Sequence, residues 1–106
     1  LVIELQHLLW LINYNLNKTM KNVIVDIVAH ATQIPNFEEL LPLENQVVSN
    51  WKKEGLLEQL YLKHDTTGVF LVFSDLKQSK VEELIKTLPL YQFFEKIEIN
   101  TVEKQF

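Results

Sequence analysis

The chain of 106 residues contains no cysteine and no arginine, and only two glycines, three prolines and one methionine. Without cysteine there is no disulfide framework, no thiolate metal site and no cysteine nucleophile. All ten cations are lysines, so no bidentate guanidinium clamp can hold a carboxylate or phosphate. With glycine only at 55 and 68, neither a phosphate-cradling loop nor a nucleophile elbow can be built. The formal charge is −4 and no block of like charge occurs, which argues against a nucleic-acid groove. His7, His30 and His64 lack ligand spacing, so neither a metal nor another cofactor is expected. A reducing compartment suits such a chain, and the cytoplasm is the expected location.

What is present is apolar patterning: 47% of the residues are hydrophobic, enough for one globular domain and far from a disordered composition. Residues 1–19 form an apolar extension and residues 20–106 the folded domain. Leu1 to Ile12 is too short to span a bilayer, which needs about 20 residues, and no membrane association is expected. Val2, Leu5, Leu9, Ile12 and Leu16 recur at helical spacing. Two readings stand: an amphipathic helix that docks, or an extension preceding a natural start at Met20.

From Asn22 to His30, Val23, Val25, Ile27 and Ala29 line one side of a strand. Ile24 and Val28 line the other, joined by Asp26 and His30. Phe37 to Leu41 reads as a short helical turn, and Pro42 suits the first position of a main helix. Leu43, Val47, Val48 and Trp51 form its apolar stripe, and Gly55 falls just past its end. Leu56 to His64 is a second strand, with Leu57, Gln59, Tyr61 and Lys63 on one face. Thr66-Thr67-Gly68 closes a hairpin onto a third strand, in which Val69, Leu71 and Phe73 oppose Phe70 and Val72. Ser79-Lys80-Val81-Glu82 reads as a capping box. Val81, Leu84, Ile85 and Leu88 then follow the helical period until Pro89 stops it. An aromatic turn leads to a last strand, Phe94 to Val102.

The order β-α-β-β-α-β, with right-handed crossovers, gives an α+β, ferredoxin-like fold whose antiparallel sheet has strand order 4-1-3-2. Both helices cover one side. The other side exposes Ile24, Val28, Phe70 and Val72, and an apolar patch of that kind marks an interface. Pairing of two open sheets in a homodimer or higher oligomer is the expected cover, enclosing a space for a small hydrophobic ligand.

The stretch Ser79-Lys-Val-Glu-Glu-Leu-Ile-Lys-Thr-Leu-Pro-Leu90, followed by the aromatic turn and Ile97-Glu-Ile99, resembles the muconolactone isomerase-like proteins. These belong, with the YciI-like proteins, to the dimeric α+β barrel superfamily. Gly55-Leu-Leu-Glu-Gln-Leu-Tyr61 is similar to their second strand. The resemblance covers Met20 to Val102 and implies a dimeric α+β barrel. It also implies proton-transfer isomerisation of a small lactone or carbonyl compound. The alternative is a non-catalytic oligomeric barrel that binds a small hydrophobic ligand or a protein partner.

On the face away from the helices, Asp26 or His30 is the expected catalytic base. Tyr61 or Lys63 is expected to hold an enolate oxygen, with Glu98 beside them and Tyr91 at the pocket mouth. Four residues of strand separate Asp26 and His30 by about 13 Å, so they do not form a dyad. The plainer reading leaves both near a rim, solvated or hydrogen-bonded across a dimer, with Tyr61 and Tyr91 packing their rings.

Overall fold

The computed structural model describes residues 21–106. The expectations for residues 1–20 lie outside the described residues. Within them, four strands run β1 (Lys21–Val28), β2 (Leu57–Leu62), β3 (Gly68–Ser74) and β4 (Lys96–Glu103). Two helices, α1 (Phe37–Lys53) and α2 (Gln78–Lys86), complete the frame, with short 3-10 turns at Ala31–Gln33 and Tyr91–Phe93. The sheet order is β2-β3-β1-β4 with all three pairings antiparallel, the order expected from the sequence.

Strand alternation decides the core. Val23, Val25 and Ile27 of β1 and Leu71 and Phe73 of β3 are essentially inaccessible, and they pack beneath Trp51 of α1 and Val81 and Ile85 of α2. Each such side chain contributes about 1.5–3 kcal/mol by leaving water. The Trp51 ring meets Phe73 edge to face, centroids 5.5 Å apart, which fixes α1 on the sheet. No described helix or strand lies over the opposite face.

The end of α1 follows its sequence signal. Leu56 N–H donates to the Trp51 carbonyl at 2.9 Å and Gly55 N–H to Lys52 at 3.1 Å, with Gly55 at φ +77°. This double bond pattern closes a helix with a left-handed residue, for which glycine has no Cβ penalty.

Three local expectations are corrected. Pro42 does not open α1 but lies inside it. The helix starts at Phe37 because the Asn36 carbonyl accepts from Glu39 and Leu40 N–H, both at 3.0 Å, and Glu38 and Glu39 complement the dipole. Pro42 then forfeits one internal bond. Leu43, expected on the buried stripe, is 57% exposed. Ser79 does not cap α2, whose preceding residue is Lys77 with no side-chain cap. The Lys77 carbonyl accepts from Lys80 and Val81 N–H, so Ser79 is already helical.

A bulge changes β2. Leu57 pairs with Phe73 and Gln59 with Val72, leaving Glu58 as the extra residue. Leu57 therefore turns into the core at 5% exposure instead of sharing a face with Gln59 and Tyr61.

The β2–β3 hairpin closes where expected. The Asp65 carboxylate accepts from Thr67 N–H at 3.1 Å and Thr67 Oγ1 at 2.6 Å. Gly68 passes so near β1 that a Cβ there would stand 1.8 Å from the Ile27 carbonyl oxygen. No helix among the described residues is long and apolar enough to cross a membrane.

Candidate functional site

Between α1 and the helix side of the sheet lies a cavity of about 340 Å3. Ile27, Leu60 and Leu71 form its floor, Leu41 and Val48 its wall, and Leu90 closes one end. An apolar cavity of about 150 Å3 stays dry and takes a benzene, so this one has room for a two-ring compound. The cavity is a cleft open to solvent on one side, where Leu60 and Leu62 are exposed, and its mainly apolar lining with few polar groups is common in small-molecule sites.

The acid on its wall is Glu44. Leu41, Glu44 and Val48 share one face of α1 by their spacing of three and four. Glu44 Oε1 accepts from the Leu90 N–H at 3.1 Å. The Leu88-Pro89-Leu90 element aims that N–H: α2 ends at Lys86, Leu88 is buried at 4% exposure, and Leu90 follows the proline into the cavity wall. Burial pushes the Glu44 carboxyl above its ordinary range, and the Leu90 bond offsets this only in part. The sequence reasoning missed Glu44. Its signal was position: the half-buried stripe runs Leu40, Glu44, Val47 and Val48 to Trp51, so an acid stands where an apolar residue belongs.

Of the residues the sequence offers for a site, Lys63 also lines this cavity, and the others lie outside it. Tyr61, Phe70, Asp26 and Glu98 form one row across all four strands, Tyr61 opposite Phe70, Phe70 opposite Asp26, and Asp26 opposite Glu98. This row is on the face away from the helices, since directly paired residues point the same way and Asp26 alternates with the buried Val25 and Ile27. Lys63 joins it: its Nζ donates to Asp26 Oδ1 at 2.6 Å and stands 5.0 Å from the Phe70 ring centroid. Lys96 Nζ pairs with Glu98 at 3.0 Å, and that carboxylate raises the Lys96 pKa.

Two residues are not brought to the row. His30 Nδ1 pairs with Glu95 Oε2 beyond the end of β1, where Glu95 N–H also donates to the Val28 carbonyl at 2.8 Å. Tyr91 packs against the helix-side core with its ring edge to Phe94, centroids 6.2 Å apart. Asp26 and His30 thus have separate partners. Among the described residues no cluster of three histidines or carboxylates is placed to hold a metal.

No family model matches the chain. No curated protein matches it either. Among solved structures, the fold is similar to the crystal structure of PA3566 from Pseudomonas aeruginosa, with a TM-score of 0.50 and 18% identity over 81% of this chain and 94% of that one. The likeness shows an α+β fold in which a four-stranded antiparallel sheet carries two helices on one side, in agreement with a ferredoxin-like topology.

Proposed function

We propose that the protein binds a small, mainly apolar compound in the cavity beneath α1, held in orientation by Glu44. The observation that supports this is the cleft itself: about 340 Å3 of mainly apolar space with a carboxyl group on its wall. Naphthol is a suitable probe, followed by amide shifts of Leu41, Leu60 and Leu71. Val48→Trp, which fills the cavity from α1, is expected to weaken binding at least tenfold while the circular dichroism spectrum stays unchanged. Equal affinity in the folded Val48→Trp protein rejects the cavity as the site.

A second, catalytic reading is favoured by the raised pKa of Glu44. A carboxyl whose ionisation is opposed by burial holds its proton more readily than a solvated one and can exchange it with a bound compound. In that reading the protein is isomerase-like, and Glu44 moves a proton beside the carbonyl of the bound compound. Loss of turnover in Glu44→Gln, with binding retained, is its signature.

The open face is our candidate for self-association into a dimeric α+β barrel. Phe70 and Tyr61 are 37% and 52% exposed there, and both acids of the row already have a lysine partner. A second copy would cover these rings without stranding an unpaired carboxylate.

A further inference from the structure

We infer that the cavity selects an uncharged ligand and discriminates against the carboxylate and ammonium forms of the same skeleton. This rests on the cavity being the binding site and names the class of compound it takes. Of the described residues lining it, only Glu44 and Lys63 carry formal charge. The Lys63 ammonium is engaged on the other side of the sheet, 2.6 Å from Asp26 Oδ1 and above the Phe70 ring. The Leu90 N–H is also taken, by Glu44 Oε1. The chain offers no arginine as a substitute.

An entering carboxylate would therefore give up part of its hydration beside a second acid group, with no free cation among the described lining residues to offset it. An ammonium fares better at Glu44 but must give up water for a mainly apolar wall, in which Asn45 and Thr66 are the uncharged polar side chains described, beside a carboxyl whose ionisation burial already opposes. A neutral hydroxyl or carbonyl compound carries neither cost. It can hydrogen-bond to the Glu44 oxygen that Leu90 leaves free, as acceptor or donor according to the protonation of the acid.

The test compares naphthol, naphthoic acid and naphthylmethylamine on one ring system, titrated into the full chain at neutral pH. Naphthol is expected to bind at least tenfold tighter than either charged analogue, about 1.4 kcal/mol or more. Glu44→Gln is expected to narrow the gap to naphthoic acid several-fold, since the second acid group is removed while the rest of the wall is unchanged. Naphthoic acid or the amine binding as tightly as naphthol overturns the inference and leaves the cavity as the site. A gap unchanged by Glu44→Gln also overturns it, because the discrimination then has another source. If none of the three binds, the cavity reading falls and this inference with it.

Discussion

Lys63 reaches across the open face of the sheet to Asp26, Nζ to Oδ1 at 2.6 Å, with the Phe70 ring beneath the ammonium. Lys63 is the more enclosed partner, its side chain 16% exposed against 32% for Asp26. A half-buried pair of this kind is costly to break on one side, because the remaining charge stays partly desolvated.

The first prediction concerns that asymmetry. Lys63→Met alone is expected to cost about 1–3 kcal/mol of stability, as for a half-buried group that loses its partner. Lys63→Met combined with Asp26→Leu is expected to recover most of the loss. Urea unfolding of the four proteins of the cycle reads this directly. A double variant no better than Lys63→Met would mean the pair is solvated and energetically idle.

The elements were largely legible in the sequence. Val23, Val25 and Ile27 alternate against Ile24 and Asp26, and the observed burial follows that alternation residue by residue. Gly55 marks the end of α1, and Gly68 the hairpin. The row through Tyr61, Asp26 and Glu98 follows from the same period-two pattern. What was not legible depended on neighbours. The bulge at Glu58 is set by how Leu57 and Gln59 meet β3, and no pattern within β2 announces it. Pro42 looked like a helix start because local rules favour it there, yet the Asn36 carbonyl had already nucleated the turn. The cavity was hidden for a different reason. It exists through the spacing between α1 and the sheet, and side-chain periodicity carries direction but not distance.

The second prediction tests the open face as a contact between copies. Light scattering at low micromolar concentration is expected to give a dimer for the natural sequence. Phe70→Lys places a cation in the centre of the row and is expected to give a folded monomer. Phe70 is partly exposed in the single chain, so the substitution opens no large internal void. A natural chain that is monomeric and well folded under the same conditions ends the proposal of a paired barrel.

The third prediction follows from Glu44 and has a definite sign. Burial raises its folded-state pKa, with the Leu90 hydrogen bond opposing and losing. Between the unfolded value, about 4.3, and the raised folded value, the folded chain keeps a proton that the unfolded chain has released. Stability from this group is therefore full at low pH and declines as pH rises through the folded pKa. Asp65 tilts the curve the other way, since the Thr67 hydroxyl and N–H lower its pKa, and its contribution is lost as pH falls. Comparing the natural chain with Glu44→Gln cancels Asp65, which both contain. The variant is expected to gain melting temperature relative to the natural chain as pH rises from about 4 toward neutrality. Gln can still accept from the Leu90 N–H, so the comparison isolates the ionisation. A difference that is flat with pH, or that favours the natural chain more strongly at neutral pH, would show Glu44 to be a solvated carboxylate and would remove the physical basis for its role in the cavity.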